Sequence, residues 1–258
     1  MHIHFHKYQG TGNDFIILDN RSHQYNTLHT AQIKMLCDRH FGIGADGLIL
    51  LNTVDGYDFE MKYYNADGHE SSMCGNGGRC IVQFAYTKNI IKNYCRFIAI
   101  DGEHEAVIEN NGWIKLKMKE VTEVHKQHDD FILNTGSPHY VTYIQNIDDI
   151  NIVQQGREIR YSKTFEQQGI NVNFVEKKET SIYVRTYERG VEDETLSCGT
   201  GVTASALTSA SHIGKQRIEV DTLGGKLAVE FNKIDDNHFN DIWLCGPAVL
   251  IFMGDIEN

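Results

Sequence analysis

The chain has 258 residues, 41% hydrophobic and 23% charged, which suits a globular protein of one large or two modest domains. Its formal net charge of −11 argues against nucleic acid or an anionic membrane surface as a partner, since both favour basic patches. No apolar run reaches the roughly 18 residues of a membrane span, and the first ten residues lack a signal-peptide core, so a cytoplasmic protein that keeps its cysteines reduced is expected.

In chain order, residues 1–8 alternate as a strand does, with His2, His4 and His6 on one face, read as exposed polar positions rather than a metal site. A short apolar run follows at 15–18. Residues 27–39 carry Leu28, Ile33, Leu36 and Cys37 at helical spacing, and 48–51 and 59–64 read as strands. Residues 77–88 form a second predicted helix with Ile81, Phe84 and Ala85 inward. Strands at 107–108 and 114–118 close the first half. The second half gives strands at 140–144, 172–175 and 182–187, a helix over 201–212, and strands at 218–220 and 227–231. The 201–212 helix consists mostly of Val, Thr, Ala, Ser and Leu. Small residues all round predict a helix enclosed by strands rather than one lying on the surface.

The two halves resemble each other. Met73-Cys74-Gly75-Asn76-Gly77 and Ser197-Cys198-Gly199-Thr200-Gly201 lie 124 positions apart. Gly12-Asn13-Asp14-Phe15 and Gly136-Ser137-Pro138-His139 share that offset, and two further segments repeat at 123 and 122. Four segments in one order predict two similar domains rather than a solenoid. Strands dominate, so each half is expected to be a mixed β-sheet curled round one central helix. The fold class is therefore α/β with two pseudo-symmetric, duplicated domains.

Each repeated cysteine opens a Gly-x-Gly turn that runs into a helix. There, unpaired backbone N–H groups and the positive end of the helix dipole favour a thiolate. A thiol and a thiolate facing one carbon can remove a proton from one side and return one to the other, inverting a stereocentre without a cofactor or metal. The pair then holds one proton between its two members and titrates as a unit. Cys37, Cys80, Cys95 and Cys245 have no such setting and read as packing residues. Gly42-Ile43-Gly44-Ala45-Asp46-Gly47 fits the dinucleotide pattern, but with the helix before it and the strand after it, the reverse of what nucleotide binding requires.

These motifs resemble those of the diaminopimelate epimerase family. The resemblance rests on Gly10-Thr11-Gly12-Asn13-Asp14-Phe15, on Gly42 to Gly47, on Tyr64-Asn65-Ala66-Asp67-Gly68 with Met73-Cys74-Gly75-Asn76-Gly77, and on Tyr187-Glu188-Arg189-Gly190 with Glu194-Thr195 and Cys198-Gly199-Thr200-Gly201. It covers nearly the whole chain. It implies interconversion of LL- and meso-diaminopimelate without pyridoxal phosphate, and a site in the cleft between the two domains. The last strand would return to the first domain, giving domains over 1–120 plus 247–258 and over 121–246.

The resemblance also implies roles for individual residues. Cys74 and Cys198 would be the acid and base, tuned by His139 and Glu188. Gly75, Asn76, Gly199 and Thr200 would hold the reacting carboxylate. Asn13, Asn65 and Asn171 would bond the substrate, Glu188 its ammonium group, and Arg189 its distal carboxylate. The family is often dimeric, so a homodimer is expected. Two positions depart from the pattern. Ser137 stands where many members have Asn, and Gly47 where some have Gln. Two other readings carry different signatures. A proline or hydroxyproline racemase would have Met-Cys-Gly-His-Gly at the first thiol, where this chain has Asn76. A non-catalytic metal-binding or redox thiol module would need ligand spacings that these cysteines lack.

Overall fold

The computed structural model describes residues 2–257, which divide into two compact units. One runs to Leu116 and resumes at Gly246; the other spans Lys117–Cys245.

In the first unit the strands are β1 (His2–Gly10), β2 (Asn13–Asp19), β3 (Gly47–Asn52), β4 (Phe59–Asn65), β5 (Glu70–Ser71), β6 (Tyr94–Ala99), β7 (Gly102–Ile108), β8 (Ile114–Lys117) and β18 (Val249–Glu257). They pair in the order β18-β1-β2-β3-β4-β6-β7-β8. The β2/β3 and β4/β6 pairs are parallel and the rest antiparallel. Parallel neighbours need a crossover connection. Here α1 (Thr30–Cys37) lies between β2 and β3, and α2 (Gly75–Thr87) between β5 and β6.

The second unit repeats this plan with β9 (Val124–Gln127), β10 (Asp130–Asn134), β11 (Pro138–Tyr143), β12 (Asn171–Lys177), β13 (Ser181–Glu188), β14 (Asp193–Thr195), β15 (Gly214–Thr222), β16 (Gly225–Lys233) and β17 (Phe239–Gly246). Its order is β9-β10-β11-β12-β13-β15-β16-β17, with β11/β12 and β13/β15 parallel. The succession of parallel and antiparallel pairs matches the first unit step for step. The crossovers are α3 (Ile152–Arg160) and α4 (Gly199–Thr208), and the short strands β5 and β14 fold back on β4 and β13. This is the sheet-dominated, duplicated architecture that the sequence predicts.

Burial follows from covering a sheet on both faces. Phe15 and Ile17 of β2 pack toward α2 with Ile49, Phe84, Phe97 and Leu116. The intervening Ile16 and Leu18 pack toward α1 with Ile33, Leu36 and Leu50. A strand buried on both sides reads as a continuous apolar run, which is why 15–18 shows no alternation. In the second unit Val202, Ala206 and Leu207 of α4 meet Val141, Val184, Val229 and Leu244. The hydroxyls buried in α4 are satisfied within the helix: Thr203 Oγ1 donates to Gly199 O at 2.9 Å and Ser205 Oγ to Gly201 O at 2.8 Å.

Several boundaries differ from the expectation. The first helix is shorter, Thr30–Cys37, because His29 caps it and bonds reciprocally with Gln32. The two central helices begin two residues earlier, at Gly75 and Gly199, and α4 ends at Thr208. Glycine is a poor helix former, but here the helix start is set by tertiary packing. The expected strand over 1–8 is present from His2, Met1 lying outside the described residues. His6 is not exposed. It is 4% accessible, its ring 5.0 Å from that of Phe84 on α2, and desolvation by burial lowers its pKa to about 4. Among the described residues no helix is long and apolar enough to cross a membrane.

Candidate active site

Both repeated cysteines are helix N-caps, Cys74 for α2 and Cys198 for α4. Each has extended backbone geometry, and its carbonyl accepts the first helical bond, from Gly78 N at 2.7 Å and from Val202 N at 2.8 Å. The N–H groups before that point have no acceptor within the helix, so Gly75-Asn76 and Gly199-Thr200 form two anion-accepting helix starts, each beside a sulfur. Cys198 is buried and Cys74 half-buried.

Around Cys74 the amides have a definite orientation. Asn13 lies at the start of β2, and its Nδ2 donates to the Asp46 carboxylate at 2.5 Å. A carboxylate only accepts, so the amide nitrogen faces Asp46 and Oδ1 faces Cys74, 3.5 Å from Sγ. Asn76 Nδ2 donates to the same Oδ1 at 3.3 Å, and Arg79 Nη2 donates to Asn76 Oδ1 at 2.9 Å. Arg79 is fully buried and also donates to Thr11 Oγ1 at 3.1 Å. The loop carrying Asp46 is held by Arg39, which bridges Asp14 and Asp46. Burial works against the charge on Asp14, but hydrogen bonds from Arg39 and Lys7 outweigh it and hold that carboxyl well below the usual carboxylate range. Asn65, the last residue of β4, is exposed.

Around Cys198 the polar groups form one connected set. His139 on β11 is fully buried. Asn173 Nδ2 meets its Nδ1 at 3.1 Å, and its Nε2 lies 3.0 Å from Ser137 Oγ. Ser137 Oγ lies 3.2 Å from Thr200 Oγ1, which lies 3.5 Å from Cys198 Sγ. Asn171 Nδ2 donates to Ser137 Oγ at 3.1 Å, and Asn171 Oδ1 accepts from Arg189 N at 2.9 Å. Glu188 accepts from Thr195 Oγ1 at 2.9 Å; the exposed Arg189 guanidinium donates to Gln168 O at 2.9 Å. Burial, followed by the charge of Arg189, lowers the His139 pKa to about 3, so the ring is neutral near pH 7.

The second glycine after Cys198 makes this approach possible. A Cβ on Gly201 would lie 2.2 Å from Asn173 Oδ1 and 3.4 Å from His139 Cε1, so a side chain there would drive the histidine layer off the helix. At the other departure, a Cβ on Gly47 would lie 2.5 Å from the Tyr63 ring, so this backbone has no room for a longer side chain there. Cys37, Cys80, Cys95 and Cys245 are buried, and desolvation raises the thiol pKa of Cys37, Cys80 and Cys95.

The structure thus gathers Asn13, Cys74, Gly75 and Asn76 in the first unit, and His139, Asn171, Cys198, Gly199 and Thr200 in the second; Glu188 bonds Thr195, Arg189 joins the second set through its backbone N–H, and the Arg189 and Asn65 side chains are exposed. The sequence reading missed Arg79, Asp46 and Asn173 as members of these clusters. A signal exists for two of them. Arg79 is a charge within the first turns of an enclosed helix, and Asn173 interrupts the apolar run of β12.

The family model described as diaminopimelate epimerase matches residues 5–124 and 131–251. A diaminopimelate epimerase of Flavobacterium psychrophilum is 52% identical over 96% of this chain and 97% of its own length. One from Chlorobaculum tepidum is 41% identical over 96% and 98%. Among solved structures, a PhzF-family phenazine biosynthesis protein of Bacillus anthracis superposes with TM-score 0.74 over the whole of both chains at 15% identity. A hydroxyproline epimerase of Agrobacterium vitis superposes with TM-score 0.68 over 99% of this chain and 92% of its own, at 11% identity. Those two structural matches show a shared fold.

The state of His139 gives a testable consequence. The unfolded chain takes up the imidazole proton below 6.5, and the folded protein does so only near 3. Stability from this residue is therefore complete above 6.5 and falls as the pH drops through that window. Chemical denaturation from about pH 7 to about pH 4 should show a slope of unfolding free energy steeper by about one proton in the wild type than in His139→Gln. Equal slopes would show that His139 takes up its proton as readily in the folded protein as in the unfolded chain.

Proposed function

The chain belongs to the diaminopimelate epimerase family, and from that premise we propose that Cys74 and Cys198 invert the α-carbon of diaminopimelate by a two-base mechanism. The enzyme is an isomerase, and the reaction interconverts the LL and meso forms. The thiolate of one cysteine takes the α-proton: a C–H bond breaks, an S–H bond forms, and the electron pair stays on the α-carbon, spread into the carboxylate. The other cysteine gives its proton to the opposite face and becomes the thiolate. One proton leaves and one arrives, so the reaction needs no oxidant and no cofactor. It returns the pair with its protonation reversed.

The observation that carries this reading is that the two thiols are N-caps of equivalent, enclosed helices at equivalent points of a repeated sheet. An α-proton next to a carboxylate is weakly acidic, so the developing charge needs fixed donors. We assign the N–H groups of Gly75, Asn76, Gly199 and Thr200 to that carboxylate. Removing one such donor costs on the order of 10²–10³ in rate in other enzymes. Asn13, Asn65 and Asn171 are assigned to the substrate, Glu188 to its ammonium group and Arg189 to the distal carboxylate, where a guanidinium fork suits two oxygens. His139 and Glu188 are assigned to tuning the thiols. A site that commits polar groups to the distal amino acid discriminates against ligands that lack it. We place this activity in the cytoplasm, where the thiols stay reduced.

We also propose a homodimer. Val249 to Met253 on β18 are each 39–62% exposed, a run of five apolar side chains on both faces of one strand. A second copy is the partner that the family reading supplies for such a surface.

Cys74→Ser and Cys198→Ser should each lower inversion by on the order of 10³ or more, since removing a positioned acid or base costs about 10²–10⁴. Each variant should still exchange the α-proton of one stereoisomer. Near-wild-type inversion by either would contradict the two-base reading. Sedimentation should give a dimer for the wild type and a monomer for Ile251→Glu; a monomeric wild type at micromolar concentration would refute the dimer.

A further inference from the structure

The hydrogen bonds around the two sulfurs run in opposite directions, and fixed amides set both directions. Asn173 Nδ2 donates to the carbonyl of Tyr140 at 3.0 Å, and its Oδ1 accepts from Thr186 Oγ1 at 3.0 Å. That amide cannot be flipped without setting carbonyl against carbonyl. Its second N–H therefore points at His139 Nδ1, which must accept. The imidazole proton is then on Nε2, and that N–H donates to Ser137 Oγ.

Asn171 is fixed in the same way. Its Oδ1 takes the backbone N–H of Arg189, so its Nδ2 is the atom that donates to Ser137 Oγ and to Pro138 O. Ser137 Oγ thus receives two N–H bonds, from His139 and from Asn171, which fill both of its lone pairs. Its own hydrogen has one direction left, to Thr200 Oγ1, and the Thr200 hydrogen is then directed to Cys198 Sγ. At Cys74 the arrangement is inverted. Asn13 presents Oδ1, a pure acceptor, because Asp46 holds its nitrogen. A sulfur facing an acceptor is bonded as S–H; a sulfur facing a donor is favoured as S⁻.

We propose that, before substrate binds, the proton shared by the pair rests on Cys74, that Cys198 is the thiolate, and that Ser137 is the positioning residue that fixes this polarity. The proposal rests on the two-thiol reading above and assigns the starting state of that site. Ser137 need not touch substrate: it converts the donors of His139 and Asn171 into one O–H delivered through Thr200. The neutrality of His139 fits this, since a second ring proton on Nδ1 would face the Asn173 N–H. The charged groups near both thiols are engaged: near Cys198, Glu188 on Thr195, Arg189 on Gln168 and Glu194 on Arg185; near Cys74, the buried Arg79 on Asn76, Thr11 and Gly75 O, and Asp101 on His104 and the Met73 N–H.

The test is alkylation of the reduced, substrate-free enzyme with limiting iodoacetamide across a pH series. Cys74 and Cys198 are read separately by peptide mass spectrometry. Exposure alone favours Cys74, the less buried thiol. The proposal expects the reverse in pH: the midpoint for Cys198 lies below that for Cys74. Ser137→Ala should slow Cys198 alkylation near neutral pH about tenfold, the scale of one hydrogen bond to a charged group, and raise its midpoint. Ser137→Thr, which keeps the hydroxyl, should stay within about twofold of the wild type. A merely structural role for Ser137 would lower the melting temperature without moving the Cys198 midpoint.

A Cys198 midpoint at or above that of Cys74, or one unmoved in a folded Ser137→Ala, would overturn the proposal. Because alkylation needs no substrate, its outcome is independent of whether the wild type inverts diaminopimelate. An enzyme that inverts but fails the alkylation test keeps the function and loses this assignment.

Discussion

A helix cannot satisfy the N–H groups of its own first turn, and this chain places a cysteine at that point twice. Everything else in the fold serves to hold those two helix starts. Each opens the helix of a crossover between strands, inside a sheet that wraps it, where the N–H groups must find a ligand or a polar neighbour. Enclosure dictates the composition of α4, whose small side chains and back-bonded hydroxyls let the sheet close around it. The same close approach requires glycine at Gly201, where a single methyl would collide with Asn173. The sulfurs stand beside the positive ends of the helices, where a thiolate and a substrate carboxylate are both favoured.

The amide networks add direction to that general attraction. Asp46, Arg79, Arg189 N and the Tyr140 carbonyl are groups that can only accept or only donate, so they fix the orientation of four asparagine side chains that otherwise could point either way. Preorganisation of this kind is useful for proton transfer. The groups need not rearrange when charge develops, and the difference between the two thiols is built into the protein before substrate arrives. Burial of a neutral histidine and of Arg79 is the stability cost of holding these networks dry.

Much of this was legible in the sequence, for identifiable reasons. The duplication showed because both halves keep the same Gly-x-Gly turn after the thiol at nearly the same offset. The central helices showed through the apolar spacing of Ile81, Phe84 and Ala85. Their first turns did not, because glycine weighs against a helix when packing is unknown, and packing is what imposes the helix there. Helix α3 was missed since only Ile152 and Gly156 of it are buried, too few to print a period. Strand β18 left no alternation in the sequence, because its run of apolar residues is exposed, and it was expected only through the family resemblance. Ser137 read only as a departure from the family pattern. Only coordinates reveal that its oxygen sits between two donors and one acceptor, because those partners come from β11, β12 and the start of α4.

The central claim is that two thiols act on opposite faces of one α-carbon, and isotope transfer in a single conversion tests it most directly. Reduced enzyme in heavy water would be given LL-diaminopimelate and stopped at low conversion. Two-base inversion predicts that the meso product carries deuterium at the inverted carbon while recovered LL substrate keeps its original hydrogen, since the group that delivers the proton is not the one that removed it. Product that retains the original hydrogen, or deuterium that builds up first in the LL substrate, would mean that one group works both faces, and would contradict the account.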